Sequence, residues 1–153
     1  MTVPPIGESY RGSEGHSGFL LRQAWQALRN ALDAALRAHG LTGPQYGAMS
    51  VLAREGEAMS GADLARACST TPQAMNEVLA TLGREGLVER RAHPTHGRIR
   101  EVVLTEEGQR RLNAANPAVR ELEAKIEEGY GDDEVAAVKA WLVEAARRLD
   151  EPG

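Results

Sequence analysis

Two short helical patterns split by a tight break, a β-hairpin pattern directly after the second, and long amphipathic stretches at both ends predict a mainly α fold with a small β hairpin. The chain has 153 residues, 42% hydrophobic and 26% charged, the length and balance of one compact domain that needs no metal or disulfide staple. No apolar run approaches the roughly 20 residues that span a bilayer, so a soluble protein without a membrane partner is expected. Residues 1–17 are rich in Gly, Pro and Ser and lack the basic start and apolar core of an export signal. They read as a flexible arm of a cytoplasmic protein. The single cysteine, Cys68, excludes an internal disulfide and agrees with a reducing compartment.

From Gly18 to His39 the residues Leu21, Trp25, Leu28, Leu32 and Ala35 recur at alternating spacings of four and three, which places them on one face of a helix ending at Gly40. Thr42-Gly-Pro-Gln45 has the form of a capping box with Pro in the first turn, and a shorter helix with Tyr46, Met49, Val51 and Leu52 follows until Gly56. Ser60 suits the cap of a third helix whose inward residues are Ala62, Leu64, Ala65 and Cys68. After the break Ser69-Thr-Thr71, Thr71 caps a fourth helix with Pro72 first, Met75, Val78, Leu79 and Leu82 inward, and an end near Glu85.

The pattern then alternates. Leu87 to Ala92 and Arg98 to Leu104 flank His93-Pro-Thr-His-Gly97, a turn between antiparallel strands. Thr105-Glu-Glu opens a long helix in which Leu112, Ala115, Val119, Leu122 and Ile126 keep their rhythm across Pro117, which favours a kink over a stop. Asp132 or Asp133 caps a last helix carrying Val135, Val138, Leu142, Ala145 and Leu149.

Two short helices joined by a tight turn and followed by a hairpin are the order of a winged helix-turn-helix. A reading helix buries one face on its scaffold and offers short polar side chains to the major groove. Gln73, Asn76 and Glu77 lie on one outward face at i, i+3 and i+4, and Gln or Asn can bond an adenine edge bidentately. The net charge of −4 opposes binding to phosphates, but it is unevenly spread. Lys and Arg stand 5 against 5 acidic residues over 1–59, 6 against 5 over 60–104, and 7 against 12 over 105–153. The middle segment ends in a local basic edge of Arg84, Arg90, Arg91, Arg98 and Arg100.

In this order and spacing the chain, from about Gly18 to Leu149, resembles the MarR family of bacterial transcriptional regulators. Leu41-Thr42 with Gln45-Tyr46 is similar to the family's entry into its second helix, Asp63-Leu64-Ala65 to its third, and Thr71-Pro-Gln-Ala-Met-Asn76 to its recognition helix. Gly86-Leu-Val-Glu-Arg90-Arg91, Pro94-Thr95, Arg98, and Val102-Val-Leu-Thr105 with Gly108 are similar to its wing and exit. The resemblance implies a flexible arm over 1–17, an N-terminal dimerisation helix over 18–40, a winged helix-turn-helix DNA-binding region over 41–104, and C-terminal dimerisation helices over 105–150. It implies two reading helices in successive major grooves, about 34–36 Å apart on a pseudo-palindrome. Effectors of the family bind between the first, second and fifth helices and the winged domain, which makes Trp25 and Tyr46 candidate effector contacts.

The expected function is a sequence-specific DNA-binding regulator, a homodimeric repressor responsive to a small phenolic or lipophilic molecule. The alternative is a winged-helix protein-interaction module or a constitutive regulator. The candidate contacts to double-stranded DNA are Thr71, Gln73, Asn76, Glu77, Arg84, Arg90, Arg98 and Arg100. Glu77 either reads a cytosine amino group or weakens non-specific binding by repelling phosphates. Where the family carries acidic residues on each side of the wing turn, this chain has His93 and His96. If these rings face phosphates, acidification adds positive charge and strengthens binding; if they face solvent they titrate without consequence. No nucleophile with a partnered base, phosphate-cradling loop or metal spacing is present in the sequence, so neither an enzyme nor a cofactor is expected, and Cys68 reads as a small buried residue.

Overall fold

The computed structural model describes residues 1–150. A 3-10 turn at Ser9–Arg11 precedes α1 (Ser17–Leu36), α2 (Gly43–Glu55), β1 (Met59–Ser60), α3 (Gly61–Ala67), α4 (Pro72–Arg84), β2 (Val88–Ala92), β3 (Arg100–Leu104), α5 (Glu106–Glu127) and α6 (Asp132–Asp150). The chain divides into two compact units, Met1–Val119 and the residues from Arg120 onward.

In the first unit the helix starts follow local chemistry. Thr42 Oγ1 accepts from the Gln45 amide at 3.3 Å while Gln45 Oε1 accepts from the Thr42 amide at 3.0 Å, the reciprocal box expected for α2. Ser60 and Thr71 likewise accept from Asp63 N and Ala74 N, each at 3.1 Å. Each such cap stabilises its helix by about 1 kcal/mol. Gly86, at φ +72°, ends α4 in the left-handed region, and the Leu87 amide bonds back to the Leu82 carbonyl at 2.9 Å. The core joins Leu36 and Leu41 to Met49 and Leu52 of α2, Leu64 of α3, Met75, Leu79 and Leu82 of α4, Leu87, Val88 and Val102 of the hairpin, and Leu112 and Ala115 of α5.

The hairpin strands are antiparallel, with Val88 opposite Leu104 and Ala92 opposite Arg100, and the loop covers residues 93–99. Arg98 therefore lies in the loop rather than in the second strand. Met59 and Ser60 pair with Val102 and Glu101, making a three-stranded sheet in the order β1-β3-β2. This strand is absent from the sequence reading, because two residues carry no period-2 signal.

A corner joins the hairpin to α5. Thr105 donates from its amide to the Leu87 carbonyl at 3.0 Å and from its hydroxyl to the Gly86 carbonyl at 2.7 Å, and its Oγ1 accepts from Gly108 N at 3.0 Å. Gly108 is buried against this corner: a Cβ there would run into the Leu87 carbonyl oxygen and the Leu104 side chain.

The N-terminal arm makes side-chain contacts with α1. Arg11 Nε donates to Gln23 Oε1 at 3.0 Å, Gln23 Nε2 donates to the Arg11 carbonyl at 3.1 Å, and Arg11 Nη1 reaches the Pro4 carbonyl at 2.9 Å. Tyr10 also packs edge-on against Phe19, with ring centroids 5.7 Å apart. Arg11, at the end of the 3-10 turn, and Gln23 of α1 thus supply partners that a Gly-rich segment does not make for itself.

α5 continues through Pro117 without a break. In the second unit α6 buries none of its residues: Val138, Trp141, Leu142, Val143 and Leu149 are all exposed. Lys139 Nζ and Glu127 Oε1 pair across the α5–α6 turn at 3.2 Å. Among the described residues no helix is long and apolar enough to cross a membrane.

Candidate nucleic-acid interface

α4 is positioned from three sides. Its start is capped by Thr71, its apolar face is buried through Met75, Leu79 and Leu82, and its end is tied to α5 by Glu85 Oε2, 3.5 Å from Arg111 Nη1. The opposite face is open. Gln73, Asn76, Glu77 and Arg84 are all exposed there, beside Ala80. Asn76 stands close to the start of α3, since a Cβ on Gly61 would lie 3.8 Å from its carboxamide oxygen. Arg84 Nη2 donates to Thr81 Oγ1 at 3.1 Å, and Thr81 in turn donates to the Glu77 carbonyl at 3.3 Å, so the C-terminal basic group is braced along the helix.

Thr71 is exposed but its Oγ1 already accepts from Ala74 N, which leaves the hydroxyl proton for a phosphate oxygen. Arg90 projects from β2, Arg100 begins β3, and Arg98 sits in the wing loop; all three are exposed and none joins an ion pair among the described residues. Arg91 does, with Glu89 Oε2 at 3.2 Å. The eight candidate contacts therefore fall on two neighbouring elements, the free face of α4 and the hairpin. An exposed polar helix face beside a strand edge with unpaired guanidinium groups has the donors and positive charge that base edges and phosphates require.

The candidate effector residues do not converge. Trp25 is 57% exposed on α1. Tyr46 is half-buried against the core and its hydroxyl donates to Asn116 Oδ1 at 2.7 Å, joining α2 to α5. An open cleft of about 400 Å³ lined by Ile6, Arg11, Phe19, Arg22 and Gln23, and another of about 390 Å³ lined by Arg29, Asp33, Arg37, Leu41 and Thr42, include neither residue.

His93 is not a freely exposed ring. Its Nδ1 accepts from loop amides and its Nε2 faces Glu101, a link that sequence spacing does not reveal. Sequence reading also missed the Arg111–Glu85 pair and the Asp33 carboxylate that accepts from Gly43 N at 3.0 Å at the start of α2. Cys68 packs on the core edge, where burial pushes its thiol pKa up and so disfavours the reactive thiolate.

Comparison with known proteins gives the same assignment. The model of the MarR family matches residues 39–99. The HTH-type transcriptional repressor Rv2887 of Mycobacterium tuberculosis is 38% identical over 109 residues, covering 71% of this chain and 78% of that protein. The fold is similar to CouR of Rhodococcus jostii bound to p-coumaroyl-CoA, with a TM-score of 0.79 and 25% identity over 86% of this chain and 92% of that one. It is also similar to the M. tuberculosis regulator MosR in complex with DNA, with a TM-score of 0.72 and 27% identity over 89% of this chain and 99% of that one. With a winged helix-turn-helix of this geometry and relatives of this closeness, the chain belongs to the MarR family of transcriptional regulators.

Proposed function

We propose that this regulator acts as a homodimeric repressor on a pseudo-palindromic operator, with Gln73, Asn76 and Glu77 at base edges, Thr71 and Arg84 at the backbone, and Arg90, Arg98 and Arg100 on the wing side. The observation that carries this reading is the open polar face of α4, held by a buried apolar face and flanked by arginines without acidic partners. It acts by binding rather than catalysis, and in the cytoplasm. The domain roles follow: 41–104 reads DNA, while 18–40 and 105–150 build the dimer. The exposed apolar residues of α6, with Ile126 of α5, support that role, since isolated helices rarely leave such faces bare.

CouR is bound to p-coumaroyl-CoA, and by analogy a small phenolic or lipophilic effector modulates this chain. A second reading, a regulator without an effector, is favoured by one observation: the Tyr46 hydroxyl is already satisfied by Asn116. Selection of bound fragments from the source genome tests DNA binding and yields the operator. A screen of phenolic acids and their thioesters for release of that operator separates the two readings. Failure to enrich any fragment over a competitor background overturns the repressor.

A further inference from the structure

Both ring nitrogens of His93 are engaged inside the wing loop. The amides of Thr95 and His96 each donate to His93 Nδ1 at 3.1 Å, the Thr95 hydroxyl lies 3.2 Å from the same nitrogen, and Nε2 stands 3.4 Å from Glu101 Oε1. The loop base is closed by backbone bonds from His93 N to the Ile99 carbonyl and from Ile99 N to the His96 carbonyl, both at 2.9 Å. Between these bonds the Thr95 and His96 amides have no backbone acceptor among the described residues. The imidazole is their partner.

A neutral imidazole has one acceptor nitrogen and one N–H. Two amides converging on Nδ1 require the lone pair there, which puts the proton on Nε2, facing the Glu101 carboxylate. We propose that His93 is the positioning residue of the wing: its unprotonated Nδ1 caps the loop as the oxygen of Asn or Asp caps a turn, and this sets where Arg98 projects. The consequence for DNA rests on the wing contact proposed above; the cap itself does not.

Protonation at Nδ1 replaces the acceptor by a donor that points at two other donors. The groups facing the ring are Glu101 on β3, which lies opposite Arg91 of β2, and His96, whose ring centroid is 5.1 Å away. A proton at Nδ1 would thus exchange the cap for a charge pair with Glu101. The wing gains charge and loses its shape in the same step, so added charge at His93 does not simply strengthen binding.

The test uses the full-length protein labelled with ¹⁵N. At about pH 8 the His93 ring should show the proton on Nε2, and a proton on Nδ1 overturns the proposal. His93→Asn places an acceptor at the same distance along the side chain as Nδ1 and, before Pro94, keeps a turn-forming pair; His93→Gln places its carboxamide one bond further out. His93→Asn should retain the protection of the Thr95 and His96 amides against exchange, taken relative to their intrinsic rates at the same pH. His93→Gln should raise exchange there by about tenfold, the loss of one net hydrogen bond, with core amides unchanged. Equal exchange in the two variants overturns the cap. Binding to a fragment selected from the source genome is measured alongside: a cap that survives while both variants bind alike supports the positioning of the loop and overturns the wing contact instead.

Discussion

At the scale of single residues the proposed interface separates into groups expected to discriminate and groups expected to attract. Asn76 and Gln73 are exposed on the free face of α4, and in the proposed interface they match base edges. Asn76→Ala and Gln73→Ala should each reduce discrimination at one base position by about 1–3 kcal/mol, with non-specific binding little changed, as measured by anisotropy on single-base variants of the operator. Arg98 is expected to behave differently, since an exposed guanidinium without an acidic partner neutralises phosphate wherever it meets it. Arg98→Ala should weaken all sequences alike and lower the slope of log affinity against log salt by about one. An unchanged slope would remove the wing from the contact. Glu77 shares the α4 face; Glu77→Gln should raise non-specific affinity if the carboxylate repels phosphates, and should relax discrimination at one base position if it reads a cytosine amino group.

Elements were legible in the sequence where local chemistry decides them. Thr42, Ser60 and Thr71 announce helix starts because the cap lies three residues from its amide, and the apolar spacing of Met75, Leu79 and Leu82 announces the buried face of α4. What escaped depends on partners far along the chain or on the shape a loop takes once folded. β1 exists only because Met59 and Ser60 meet Val102 and Glu101, the Arg111–Glu85 pair spans 26 positions, and the His93 cap appears only once the loop has folded over its own ring. The α1 stripe was visible, but its spacing does not distinguish a face turned to the chain's own core from one turned elsewhere, and Trp25 is exposed. The clearest test of an element junction is Gly108, the position on α5 that abuts the Leu87 carbonyl. Gly108→Ala should destabilise the fold by about 1–3 kcal/mol through overpacking against backbone that cannot yield cheaply, read as a lower midpoint in urea with the slope unchanged.

For the whole molecule, the apolar residues left bare on α6 predict that stability is a property of two chains. Thermal unfolding should shift to higher temperature as protein concentration rises, and Leu142→Arg should abolish that dependence by placing an unpaired charge in the contact. Sedimentation of the unmodified protein as a stable monomer at micromolar concentration would contradict this. The corner at Gly86, Leu87 and Thr105 has a geometric consequence. The end of α4, the first strand of the hairpin and the start of α5 meet there through the Thr105 bonds and the Gly108 approach. At 1.5 Å of rise per residue, Asn116, which holds Tyr46, lies about 12 Å along α5 from Gly108, and Gln73 lies about 14 Å along α4 from Leu82. The Tyr46–Asn116 contact and the start of α4 thus stand at comparable distances from the one junction where the end of α4, the hairpin and α5 are tied together.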